Sequence, residues 1–215
     1  MIRHSQQWEN TESGLLYGAT VNSIARDLGI ELSEAQEIVD AYFNIYPRVK
    51  AFIADCHAMA GDNQFVVTPF GQRKMEYGTL PMFQGSAAFN AAKRNAQNVM
   101  IQSPASTLGL VVFTELNRRM KEIGGQCICT VYDSIEIEVP LAKAEEAVKL
   151  GYYVMNDWPQ EVFDWLNFPI GADGEIGWNW GDVEPVYATH TQAEIMSMLA
   201  AANSDKFQEA LRIAA

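Results

Sequence analysis

Between Ser86 and Glu122 the chain reads as one long, alanine-rich helix, halted by Gly124-Gly125. Directly after it, Gln126 to Val139 changes to strand periodicity. Ile135, Ile137 and Val139 alternate with Glu136 and Glu138, the pattern of a half-buried hairpin. A helix of that length handed straight to a hairpin makes the fold class α+β. Pro104 is expected to kink the helix, because proline removes one ladder bond and clashes with the turn before it. The 215 residues fit one large domain or two small ones.

The other segments divide by their punctuation. Thr20 is a good N-cap for a helix through Asp27, which Gly29 closes. Ser33 with Gln36 reads as a capping box opening a second helix, with Ala35, Ile38, Val39, Tyr42 and Phe43 on its apolar face. Pro47 separates it from a third, over about 48–60, closed by Gly61. Phe65 to Met75 reads as a small hairpin around Pro69-Phe70-Gly71. Lys143 to Trp158 reads as another helix, and a short strand is expected within 168–178. After a looser, acidic stretch come helices over 191–202 and 204–214. Ile195, Met198 and Leu199, then Phe207, Leu211 and Ile213, form apolar faces expected to dock on a partner chain.

Composition narrows the function. No run approaches the roughly 18 apolar residues of a membrane span. The start, Met1-Ile2-Arg3-His4-Ser5-Gln6, has no apolar signal core, so a cytoplasmic protein is expected. Net charge is -12, which argues against a free-standing, non-specific DNA binder, since phosphates need surplus Lys and Arg. Basic residues still cluster at Arg73-Lys74, Lys93-Arg94 and Arg118 to Lys121. Cys56, Cys127 and Cys129 make no disulfide framework, and the C-x-C lies in a β-branched run that reads as structural. His4, His57 and His190 have no ligand spacing, and His57 is expected on a helix surface. Trp158, Trp165, Trp178 and Trp180 have the rings to stack nucleic-acid bases, but are expected to close a core. No phosphate-binding glycine loop with its lysine is present.

Two features carry chemistry. Arg94, Asn98 and Gln102 are four apart, so on a helix they form one stripe. All three can donate to the purine N3 and pyrimidine O2 acceptors of a minor groove, which occupy similar places in every correct base pair. A solvated polar face has the same spacing. Asp133 falls at the tip of the hairpin, where a carboxylate on rigid support can hold a divalent ion. Mg²⁺ favours one or two carboxylates plus substrate phosphates. Ordinary turn chemistry also places Asp and Ser there.

Taken in order, these elements resemble the C-terminal part of a family-A DNA polymerase, from about Gly14 to Asp182. Gly14-Leu15-Leu16-Tyr17-Gly18 looks like the end of the fingers motif F-G-x-x-Y-G. Leu28-Gly29-Ile30, Glu34-Ala35-Gln36, Tyr42-Phe43 and Tyr46-Pro47 look like the two helices leading to a Y-P turn. Thr68 to Arg73 resembles the T-x-x-G-R-R turn. Lys93-Arg94, Asn98 and Gln102 resemble E-R-x-x-x-N-x-x-x-Q, with Lys for Glu. Val131-Tyr132-Asp133-Ser134 sits where the family has V-H-D-E, and Gly174 to Trp180 resembles the G-x-x-W close of the palm. The resemblance implies a partial palm, an antiparallel sheet with the catalytic hairpin at its centre, plus fingers helices. It divides the chain into a fingers-like region at 1–62, a palm-like region at 63–182 and a helical extension at 183–215. It implies template-directed nucleotide addition with two Mg²⁺ ions. Asp133 would be a catalytic metal ligand. Tyr17 and Gly18 would meet the nucleotide and template, and Arg94, Asn98 and Gln102 the minor groove. Tyr132 and Ser134 would lie at the primer terminus, with Arg73 a further DNA contact.

The departures shape the reading. The family's other metal aspartate lies in D-Y-S-x-(I/L)-E, which nothing here matches. Its triphosphate-holding arginine and lysine fall, without gaps, on Ser5 and Glu9, and Ser13 replaces an aromatic residue. Arg3 and His4 would substitute only in a different register. The expectation is therefore one piece of a split polymerase. An N-terminal partner subunit would carry the missing aspartate motif and share the two Mg²⁺ ions, with primer-template DNA and dNTP as ligands. Tyr132 and Ser134 resemble bacteriophage variants, so the compartment would be a host cytoplasm. The alternative is a non-catalytic accessory protein that keeps the fold.

Overall fold

Thr20 opens the first full helix as its side chain demands. Its Oγ1 accepts from the Ser23 amide at 3.2 Å, and Ser23 Oγ accepts from the Thr20 amide at 2.8 Å. Helix α1 (Val21–Leu28) then ends at Gly29, whose φ of 68° is left-handed. The computed structural model describes residues 14–76, 84–203, 205, 206, 208, 209 and 212. They fall into two units divided between Thr107 and Leu108. Arg3, His4, Ser5, Glu9 and Ser13, with the side chains of Phe207, Leu211 and Ile213, lie outside the described residues.

In the first unit, α2 (Leu32–Ile45) has its N-cap two residues earlier than the expected box. Glu31 is its N-cap without a side-chain cap bond. Ser33 is already helical, and Gln36 Nε2 donates to Asp40 Oδ1 instead, at 3.0 Å. Helix α3 (Pro47–Asn63) takes Pro47 at its first position, where no amide is needed. It runs through Gly61 and stops where Gln64, at φ 60°, adopts the left-handed cap. Leu15, Ile24, Ala35 and Val39 form one core, with Tyr42 and Phe43 packed against it. Strands β1 (Phe65–Val67) and β2 (Arg73–Met75) pair antiparallel, Phe65 opposite Met75. Val66, Ala60 and Ala96 form a second core, which joins the ribbon to the long helix α4 (Ala87–Glu122).

Helix α4 runs across the division and contains Pro104. Within the second unit its seam Val112, Leu116 and Met120 packs with Ala147 and Val154, and with Ile135 and Ile137 of the hairpin. The hairpin is β3 (Gln126–Val131) with β4 (Ser134–Glu138), antiparallel, with a bulge between Cys127 and Cys129. The expected helix over 143–158 is three pieces: α5 (Ala144–Tyr152), a π-helical stretch at Tyr153–Asp157, and α6 (Trp158–Val162), which opens on a buried Pro159. Proline supplies no amide to a preceding turn, so the ladder widens before it. Strand β5 (Gly174–Asn179) pairs with β6 (Asp182–Val186). The acidic stretch read as loose therefore begins as a strand. Helix α7 (Gln192–Ala202) opens on a Thr191–Glu194 capping box.

Two further expectations change. The apolar face of α7 is buried within its own unit: Ile195 is 0% exposed and Leu199 4%. They form a core with Ala144 and Val186, and Met198 packs against it. The described strands form three separate two-stranded ladders rather than one palm sheet. The mixture of helices with small antiparallel ribbons is α+β. Helix α4 also contains an 18-residue window of mean hydropathy 1.3, only 11% buried, so by length and composition alone it would cross a membrane. One such helix is weak evidence, and Gln102, Ser103 and Thr107 interrupt it with polar groups.

Leu116→Ala empties a fully buried position in the second unit, and it is expected to cost about 2–5 kcal/mol through lost burial plus cavity. Denaturant unfolding measured against wild type checks this.

Candidate functional site

The stripe lies on the part of α4 that belongs to the first unit. Arg94 and Gln102 are exposed, and Asn98 is half-buried. Asn98 Oδ1 is shielded from solvent with no hydrogen-bond partner among the described residues. Beside the stripe lies the turn Gly14–Gly18. Its amides bond inward, Tyr17 N to Gly14 O at 3.1 Å and Gly18 N to Leu15 O at 3.2 Å. Gly18 has φ 87°, and a Cβ there would stand 2.9 Å from Arg94 Cγ. The Arg94 stem therefore lies against the glycine, and its guanidinium is left to solvent. Tyr17, just before, is 41% exposed.

Gln97, which the sequence reading passed over, lies under this turn. It is 1% exposed. Its Nε2 donates to the Leu15 carbonyl at 3.3 Å and to the Leu16 carbonyl. Its Oε1 accepts from His57 Nε2 at 3.2 Å. The carbonyls require the amide nitrogen, so the oxygen faces His57 and fixes the Nε2–H tautomer. His57 is thus bonded to a neighbouring helix rather than free on a surface, and burial pushes its pKa below the ordinary value. The one sequence signal for Gln97 is its place beside the inward alanines Ala92 and Ala96.

Arg73, on β2, stacks its guanidinium on Phe65 at 5.2 Å from the ring centre. Gln72, also passed over, accepts from Ser103 Oγ at 2.9 Å and Thr107 Oγ1 at 3.1 Å. It fastens the Thr68–Gln72 turn to α4 just beyond Gln102.

The second unit presents the hairpin tip. Val131 pairs with Ser134, which leaves Tyr132 and Asp133 as a two-residue turn. Tyr132 has φ 57°, uncommon for a bulky residue, and its side chain is fully exposed. Asp133 is exposed beside it. Ser134 Oγ donates to the Val131 carbonyl at 3.0 Å and lies 3.3 Å from Glu136 Oε1. Glu136 in turn accepts from Trp180 Nε1 at 2.9 Å. Trp180 is 69% exposed, so it does not close a core as expected. Trp158 and Trp178 do pack against cores.

Metal chemistry at the tip rests on few donors. Among the described residues no three of His, Cys, Asp and Glu gather into a metal cluster. A lone exposed carboxylate fits Mg²⁺ as one ligand of a larger set. Burial pushes the Cys127 thiol up to about 11, so it is no ready thiolate ligand. The acid is uneven along the chain: residues 1–107 carry 8 Lys and Arg against 10 Asp and Glu, residues 108–215 carry 7 against 17.

Known proteins share this pattern. The sequence model of DNA polymerase family A matches residues 7–182. The chain is 30% identical over 168 residues to DNA polymerase I, thermostable, of Thermus filiformis, covering 78% of this chain and 19% of that protein. Against DNA polymerase I of Deinococcus radiodurans the identity is 29% over 171 residues, 80% of this chain and 17% of the relative. The chain thus spans less than a fifth of the length of these relatives. Among solved structures, the POL domain of Pol1 from M. smegmatis, in complex with DNA primer-template and dNTP, has a TM-score of 0.63 at 24% identity. The match covers 69% of this chain and 26% of that one. At that identity the likeness concerns the fold alone.

Gly18→Ala forces a Cβ onto Arg94 at a left-handed backbone, so a cost of about 1–2 kcal/mol is expected. Thermal unfolding checks it, and Gly29→Ala, with a similar backbone but open space, separates the backbone part from the contact.

Proposed function

The chain belongs to DNA polymerase family A, and on that premise we propose that it supplies the C-terminal fingers and palm part of a template-directed DNA polymerase. In this reading residues 1–62 are fingers-like, 63–182 palm-like, and 183–215 an extension. Asp133 is one of two carboxylates that hold catalytic Mg²⁺. The other comes from an N-terminal partner polypeptide carrying D-Y-S-x-(I/L)-E, the motif absent from these residues. The observation that carries the reading is Asp133 held bare at a two-residue hairpin tip, inside a sequence matched by the family model. Two features support a partner. Helix α4 leaves apolar surface uncovered, with Leu110 60% exposed, and net charge is -12, so cationic surface for DNA must come from elsewhere. Tyr132 and Ser134 favour a bacteriophage relative acting in host cytoplasm.

When bound, Mg²⁺ supplies charge stabilisation for the attacking and leaving oxygens of an in-line displacement. The chain's own groups do the rest. Asp133 offers an acceptor-only carboxylate on a short, paired turn, so its approach direction is fixed before substrate arrives. Tyr132 donates a phenolic hydrogen bond at the primer terminus, and Ser134 holds the far side of the turn. Tyr17 and Gly18 border the nascent base pair and its template. Arg94, Asn98 and Gln102 donate to N3 and O2 in the minor groove, so a mispair that displaces these acceptors loses hydrogen bonds. Arg73 meets the DNA backbone.

A second reading, a non-catalytic accessory protein, draws on Ser5 and Glu9 standing where the family holds triphosphate. Primer extension separates the two. The chain with its partner is expected to extend a primed template. Asp133→Asn is expected to lose about 10²–10³-fold or more, the scale of removing one preorganised catalytic group. Unchanged extension would leave the accessory reading. Arg94→Ala removes one charged hydrogen bond, worth about 1.5–3 kcal/mol. Duplex affinity measured by anisotropy is expected to fall accordingly, and extension from mismatched ends to rise relative to matched ends.

A further inference from the structure

We propose that Gln97 is a positioning residue that ties the Tyr17 turn to the Arg94–Asn98–Gln102 stripe, so that the nascent pair and the primer-side minor groove are read from one rigid frame. The inference deepens the polymerase reading and its functional half rests on it.

The geometry is local and complete within the first unit. The helical turn at 14–16 is short, so its carbonyls draw on few amides of their own: Leu15 O accepts from the Gly18 amide at 3.2 Å and still has room for a second donor. Gln97 supplies both hydrogens of its amide to two of them, at Leu15 and Leu16. Three residues earlier on the same helix, the Arg94 stem fills the space left by the missing side chain of Gly18. Gln97 and Arg94 therefore hold the turn by its last carbonyls and by its glycine. Tyr17, between those points, keeps a fixed backbone while its ring remains exposed. His57 completes the arrangement from α3: its Nε2–H occupies Gln97 Oε1, so the amide is held in the orientation that serves the carbonyls.

When the Gln97 amide is removed the Leu15 carbonyl keeps the Gly18 amide, so the loss falls on the part-buried Leu16 carbonyl, and a partly buried group without a partner is costlier than an exposed one. The turn would then relax by moving Tyr17 relative to Arg94. A polar residue buried to 1% in an alanine-rich face is itself an expensive choice unless the hydrogen bonds matter.

The test uses Gln97→Met, which keeps length and apolar volume but removes the donors, and His57→Ala, which removes only the outer support. In the full chain, amide hydrogen exchange is read at Tyr17, Gly18 and Ala19, with α2 of the same unit as the folding control. Exchange at the turn is expected to rise by about tenfold in Gln97→Met, the scale of one lost hydrogen bond, and by less in His57→Ala, with α2 unchanged. In the complex with its partner, KM for the incoming nucleotide is expected to rise by about tenfold with kcat nearly constant, and matched-over-mismatched discrimination to fall. A merely structural role would lower active fraction, and so kcat, without moving KM. Unchanged exchange at the turn, or faster exchange with unchanged KM, overturns the proposal. If the wild-type complex extends no primer, the polymerase reading fails and takes the kinetic half with it, while the exchange measurement still decides the tether.

Discussion

Each unit takes a core from the same helix. On α4, Ala96 is buried with Val66 and Ala60 in the first unit, and Val112, Leu116 and Met120 form a seam in the second. The 3.6-residue period lets one element do this while a different stripe keeps Arg94 and Gln102 in solvent. Small residues dominate the first seam and large ones the second. The ribbon β1–β2 meets α4 through Val66 and the small Ala96, and the hairpin β3–β4 through Ile135 and Ile137 against Val112, Leu116 and Met120.

The stripe of the first unit and the hairpin tip of the second are built on different principles. The stripe and its turn are organised by side-chain hydrogen bonds across elements, from the buried Gln97 to the Leu15 and Leu16 carbonyls and from Ser103 and Thr107 to the exposed Gln72. The hairpin tip is organised by backbone geometry. Tyr132 occupies a conformation that costs a bulky residue about 1–2 kcal/mol, and the paired strands on either side enforce it. Such strain gathers where a side chain must be presented in one direction.

What the sequence revealed depended on whether the signal was local. Thr20 and Gly29 were legible because a cap is decided by its own backbone and the next turn. Ser33 misled because the helix begins two residues sooner, from Glu31 without a side-chain cap bond, and Gly61 because a glycine inside a helix costs less than stopping early. Strand β6 was hidden because its run, Asp182–Val186, is acidic and contains Pro185, which is no strand signal. Tyr17, Arg94, Asn98, Gln102 and Asp133 were singled out by pattern alone, and their roles belong to the proposal. Gln97 and His57 were not, since glutamine is ordinarily exposed and only long-range packing told otherwise.

The bulge in β3 has a consequence for the direction of the carboxylate. Cys127 faces Ile137, but Cys129 faces Glu136, so Ile128 is the extra residue that reverses the parity of the strand. Before it, Cys127 stands opposite Ile137; after it, the even-numbered Thr130 stands opposite Ile135. Since alternation has a period of two, one amino acid decides which way everything downstream looks. Ile128 is thus a phase shifter. An otherwise identical hairpin lacking it would carry Tyr132 and Asp133 on a ribbon turned over, its acid aimed at the opposite side.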